Sequence, residues 1–169
     1  MTVRAARDAY LAENGFTLEA YDAKWTDASA FGVRFRVPNT PRHRVAIMLH
    51  DLHHVATGYG TDQIGEGEIS AWEARAGLRA LGAYVAGIVL TGAMGGVLLA
   101  PRRAVDAWRA ARGASSLFPL CRLPSAAFDA RYEELLEMTV GELRRLLGVS
   151  ATGATPRPRE LHAYAPKAA

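Results

Sequence analysis

Lysine is almost missing from this chain: it occurs only at Lys24 and Lys167, so nearly all the basic charge is arginine. With a net charge of only +3, that arginine and alanine bias reads as a GC-rich coding composition, and no nucleic-acid partner is expected. Cysteine is equally scarce. Cys121 stands alone, which excludes an intrachain disulfide, permits a reducing compartment and suggests a buried structural thiol. Glycine-rich phosphate loops, Gly-x-Ser-x-Gly elbows, Cys-x-x-Cys pairs and internal repeats are all missing, which removes the usual signals for nucleotide, acyl-transfer and thiol-redox chemistry. Residues 1–7 are polar and no short apolar core follows, so no secretory leader is expected. At 169 residues, half of them hydrophobic, the chain can enclose one sizeable core.

What is present is a concentration of metal-binding residue types. His50, Asp51, His53 and His54 fall within one and a half helical turns, and Glu66 follows His54 after eleven residues. The stretch from Arg44 to Ala56 contains no glycine or proline and predicts a helix. At about 100° per residue, with His50 at zero, His54 lies near 40°, Asp51 near 100° and His53 near −60°. Val45, Met48, Leu49, Leu52 and Val55 occupy the other side. Histidines four apart have Cβ atoms roughly 5–6 Å from each other, close enough to share one ion. Spacing alone leaves a solvated amphipathic helix as an equal alternative.

The next segment favours the ion. Thr57-Gly58-Tyr59-Gly60-Thr61-Asp62 predicts a turn, and a second helix is expected from about Glu66 to Leu81. Glu66, Ile69, Ser70 and Glu73 share a face of that helix, while Glu68 lies about 200° from Glu66. Glu66 is therefore expected inward as a ligand and Glu68 outward. Glu73 reads as a surface charge, or else as a partner of the ligands and a candidate for proton transfer.

These residues resemble the zinc motif of the ubiquinone (coenzyme Q) biosynthesis family often called Coq-four, written His-Asp-x-x-His, eleven residues, then Glu. The surrounding words are similar too: Val37-Pro38-Asn39-Thr40, His54-Val55-Ala56-Thr57-Gly58-Tyr59-Gly60-Thr61-Asp62 and Gly65-Glu66. The likeness is confined to about residues 36–73. It implies an all-α protein with His50, Asp51, His54 and Glu66 around a divalent metal, usually zinc. It also implies peripheral membrane or lipid association, with a cytoplasmic location at the inner membrane face. Such proteins are described both as scaffolds for biosynthetic enzymes and as metal-dependent lyases that replace a ring carboxylate with hydroxyl. The expected substrate is a hydrophobic aromatic or polyketide-like acid, with homo-oligomers or biosynthetic enzymes as further partners. His53 is an extra histidine, expected at the edge of the metal face where it can transfer a proton. His50-Asp51 also looks like a phosphohydrolase pair, but only His43 is available upstream, so that reading ranks last.

The remainder predicts scaffold. Helices are expected over Thr2 to Asn14 and Leu18 to Trp25, then a short strand over Phe31 to Val37. Gly82 to Ala100 is nineteen residues without a charge, with Gly92, Gly96 and Ala100 at intervals of four. As helix it spans about 28 Å, near the roughly 30 Å of a bilayer core. A buried central helix, packed through its glycines, is preferred to a membrane span; it could also line an apolar groove. Pro101 starts a charged helix closed by Gly113, Leu117 to Pro124 is irregular, and Ser125 is expected to cap the next helix. Thr139 and Glu142 form a capping-box signature before a last helix stopped by Gly148. The expected fold is an all-α single-domain helical bundle over residues 1–149, with a central Gly-rich apolar helix, a helix-borne metal site and a loose tail over 150–169.

Overall fold

The computed structural model describes residues 1–30 and 33–155. The protein is an all-α, single-domain bundle: among the described residues, seven α-helices accompany one two-stranded hairpin. The helices are α1 (Val3–Glu13), α2 (Pro41–Thr57), α3 (Gln63–Ala76), α4 (Gly82–Leu99), α5 (Pro101–Ala110), α6 (Ser125–Glu137) and α7 (Val140–Leu147). Strands β1 (Trp25–Ala30) and β2 (Val33–Pro38) pair antiparallel, with Trp25 opposite Pro38. β1 and a 3₁₀ turn over Leu18–Asp22 replace the helix expected there. The expected strand largely coincides with β2; its Phe31 and Gly32 lie outside the described residues.

Local chemistry accounts for the helix ends. Thr40 caps α2 by accepting from His43 N at 3.2 Å, and Pro41 occupies the first turn, where its missing N–H costs nothing. The helix thus starts three residues before Arg44. Gly58, at φ 84°, closes it in the left-handed conformation. Asp62 caps α3 through Ile64 N and Gly65 N, so that helix begins before Glu66 and ends at Ala76, well short of Leu81. The Thr139–Glu142 capping box forms as expected, whereas Ser125 is already helical and Pro124 holds the cap position.

One core runs through the bundle. Leu49, Leu52, Ile69, Trp72, Leu81, Phe118, Leu135, Leu136, Leu143 and Leu147 are each 1% exposed or less. A smaller cluster joins Ala6, Tyr10 and Leu11 of α1 to Tyr21 and Val55.

Helix α4 corrects one expectation. Its glycine seam does pack: a Cβ at Gly67 would lie 2.4 Å from the Gly96 backbone, and one at Gly92 would lie 2.4 Å from Ser70 Oγ, so α3 and α4 approach where only glycine fits. The rest of α4 is not buried. Only Val85, Val89 and Gly96 are, while Leu90, Met94, Val97, Leu98 and Leu99 are about half exposed or more. The boundary at residue 149 also moves. Ala154 N and Thr155 N donate to Thr57 O, and Arg144 bonds both Ala56 O and Ala151 O, so residues 150–155 cover the carbonyl end of α2. The rest of the expected tail, 156–169, lies outside the described residues.

Candidate metal centre

α2 and α3 bring His50, His54 and Glu66 together. One ligand atom from each lies within 4.8 Å of the other two. His50 Nε2 is 3.0 Å from His54 Nε2, and the Glu66 carboxylate oxygens stand 3.4 Å from each of those nitrogens.

The tautomers follow from the outer contacts. His54 Nδ1–H donates to the Tyr59 carbonyl at 3.0 Å, and His50 Nδ1–H donates to Glu73 Oε1 at 2.8 Å. In a neutral imidazole the remaining nitrogen then offers a lone pair. Two lone pairs and a carboxylate therefore face one point, which is repulsive unless a cation or a shared proton lies between them. Tetrahedral zinc, with bonds of about 2.0–2.2 Å, sets its donors roughly 3.3 Å apart, so the donor set fits that ion in chemistry and in spacing.

The Gly-rich link aims the third donor. A Cβ at Gly65 would lie 2.3 Å from Gly60 O, so the chain folds back tightly enough for Tyr59 O to reach His54 while Glu66 enters from the first turn of α3. The ring of Tyr10 stacks on His54 at 5.3 Å and 24°, which fixes its plane. His54 is fully buried, whereas the His50 and Glu66 side chains are 24% and 35% exposed; the site opens to solvent on their side.

Electrostatics agree with the geometry. Burial alone would raise the Glu66 carboxyl, but His54 and His50 outweigh it and hold the group down at about 2. Burial opposes a charged His50, yet Glu73 and Glu66 raise it well above the ordinary histidine value. The centre attracts positive charge.

Asp51 does not join this group. Its Oδ2 accepts from Tyr21 O–H at 2.5 Å, and burial raises its carboxyl above the usual range. The helical angle of about 100° from His50 turns it toward Tyr21 of the smaller cluster instead.

The two expected proton-transfer candidates both lie away from solvent. His53 is fully buried beneath Trp72 and Phe118, with ring centroids at 5.3 and 4.9 Å. Its Nδ1–H donates to Glu73 Oε1 at 2.7 Å and its Nε2 accepts from Leu117 N–H at 2.9 Å, so both nitrogens are engaged and a substrate has no way in. Glu73 is no surface charge. It is fully buried and held at about 2, because His50 and His53 overcome the effect of burial; its Oε2 has no partner among the described residues. Glu68 does not face solvent either. It forms a two-pronged pair with Arg103 of α5, at 2.8 and 2.7 Å, on the side of α3 turned from the histidines.

Sequence reasoning missed the Tyr59 carbonyl, the Tyr10 ring and the Leu117 amide. Of these only Tyr59 left a signal, lying between two glycines of a tight link. No family model, curated protein or solved structure matches this chain.

Proposed function

We propose that this protein is a metal-dependent lyase of the Coq-four type, acting on a hydrophobic aromatic or polyketide-like acid by decarboxylation or related bond cleavage. One observation carries the reading: His50 Nε2, His54 Nε2 and Glu66 form a converging set of three acceptors, open to solvent on the His50 and Glu66 side, with outer partners that fix both histidine tautomers. Three protein ligands with a side open to solvent are the arrangement of catalytic zinc sites rather than of closed structural ones.

In this reading His50, His54 and Glu66 hold zinc. Bound there, zinc would supply Lewis-acid stabilisation of negative charge on a substrate oxygen. Glu73 and the Tyr59 carbonyl keep the two Nε2 lone pairs in place. The half-exposed apolar residues of α4 are the surface on which a hydrophobic substrate or a membrane leaflet is met. The same surface supports a second reading, a metal-stabilised scaffold without turnover. Purified protein, loaded with one equivalent of zinc and incubated with a panel of prenylated or polyketide aromatic acids, tests the proposal. Release of carbon dioxide that stops in His54→Ala supports the lyase. Zinc binding without product from any acid favours the scaffold.

A further inference from the structure

Reading His50, His54 and Glu66 as a metal centre explains Glu73 only as the partner of His50 and leaves the fully buried His53 behind it without a task. A buried charge of this kind is a weak device for stability, since apolar side chains of similar volume often serve better. Their connections point elsewhere. Glu73 Oε1 accepts from His50 Nδ1–H and from His53 Nδ1–H, and His53 Nε2 accepts from the Leu117 amide. An ionised carboxylate only accepts, so both imidazoles must carry their hydrogen on Nδ1. The unbroken line therefore runs from the lone pair of His50, through Glu73 and His53, to the backbone of the connection between α5 and α6.

That connection is itself stitched to α3. Ser116 N donates to Ala76 O at 3.3 Å, Ser116 Oγ donates to Gly77 O at 2.7 Å, and Phe118 places its ring edge-on to His53. Among the described residues, only His53 receives the Leu117 N–H. Fixing the His50 ring fixes Glu73 Oε1, which fixes the His53 ring, which fixes this amide.

We propose that Glu73 and His53 are positioning residues that couple metal binding at His50 to the seating of residues 115–118. The coupling rests on the metal reading above. It is reciprocal: zinc tightens the connection, and loosening the connection weakens zinc. An outer partner of a ligand histidine commonly changes metal affinity by about 10–100-fold.

Hydrogen exchange at the Leu117 amide, with and without zinc, tests this in the full chain, alongside zinc affinity by chelator competition. In the wild type, zinc should slow exchange at Leu117 about tenfold more than at core amides of α6, which report overall stabilisation. Glu73→Gln should bind zinc about 10–100-fold more weakly and lose that extra protection. His53→Asn leaves the His50–Glu73 bond in place; it should keep most of the affinity and still lose the protection, which covers the case in which Glu73→Gln does not fold. Zinc binding by the wild type with no extra protection at Leu117, or Glu73→Gln binding as tightly as wild type, would overturn the coupling. A wild type that binds no zinc at all would overturn the metal reading itself, and the coupling with it.

Discussion

The seam between α2 and α3 and the outer face of α4 are both contacted or flanked by α3, yet they are built differently. In the seam, three histidines and two glutamates lie within hydrogen-bond or ion-pair distance, and each ring nitrogen of His50, His53 and His54 has a neighbour. On α4, Leu90, Met94, Val97 and Leu98 stand about half exposed or more, and the helix carries no charge at all. Buried polar groups need partners in fixed directions, so the seam admits few substitutions. An apolar face needs only to be covered, and its residues are interchangeable. The comparison separates a cluster ordered by the direction of each polar group from a surface defined only by its apolar area.

The largest effect should come where α3 and α4 touch through glycine. Gly96→Leu drives a side chain into the Gly67 backbone and should cost about 3 kcal/mol or prevent folding, as read by thermal denaturation. Met94→Glu, two residues away on the outer face of the same helix, should change stability by less than about 0.5 kcal/mol. Equal effects would erase the distinction between the two faces of α4.

The glutamates of α3 give a second contrast. Glu68→Ala removes a two-pronged carboxylate partner of Arg103, whose side chain is 19% exposed, and should cost about 2–3 kcal/mol while leaving zinc affinity unchanged. Glu66→Ala should lower zinc affinity at least about 100-fold, and it should also destabilise the metal-free protein above pH 4.5, because the carboxylate that His54 and His50 hold at about 2 is lost. Isothermal titration and melting curves on the same preparations separate the two.

Acid and base should act on the seam in opposite senses. Glu66 and Glu73 are held at about 2 against an ordinary 4.5, so their contribution is present above pH 4.5 and is lost as pH falls toward 2. His50 is raised above its ordinary 6.5, so its contribution is present below pH 6.5 and is lost as pH climbs through the raised value. In metal-free protein the contributions of Glu66, Glu73 and His50 therefore overlap between about pH 4.5 and 6.5, while the buried His53, held neutral below its ordinary value, works against the acid side of that window. Zinc replaces the proton at His50 and should remove the alkaline decline. A metal-free protein whose melting temperature keeps rising from pH 6.5 to 9 would contradict this arrangement.

The smallest change in stability should accompany a large change in behaviour. Leu98→Glu combined with Met94→Glu should melt like wild type and yet lose sedimentation with anionic phospholipid vesicles. Binding unchanged by both charges would remove α4 as the lipid-facing surface.

How much of this was legible depends on which physical rule decides each feature. The convergence of His50, His54 and Glu66 was readable because two histidines four apart share a helix face, and because a glutamate in the next helix's first turn has a fixed direction. Capping at Thr139 and the stop at Gly148 were readable for the same reason, being local. His53 misled because its angle of about −60° from His50 places it on the rim of a face, and only the packing of Trp72 and Phe118 decides that the rim is roofed. Glu73 and Glu68 were misjudged because their partners, His53 and Arg103, sit 20 and 35 residues away. The α4 glycines were understood as a seam, but an uncharged helix carries no pattern that tells a covered side from a bare one. β1 was hidden because its pairing with β2, and not its own sequence, makes it a strand.

Zinc stoichiometry and affinity, measured on wild-type protein stripped with chelator and reloaded, test the central claim most directly. The account predicts one zinc per chain, a rise in melting temperature on loading, and loss of both in His50→Ala and His54→Ala. Asp51→Asn should retain the zinc, since Asp51 is turned to Tyr21 and away from the trio. A wild type that takes up no stoichiometric zinc and shows no thermal shift, or a His54→Ala variant that binds it as well as wild type, would contradict the account.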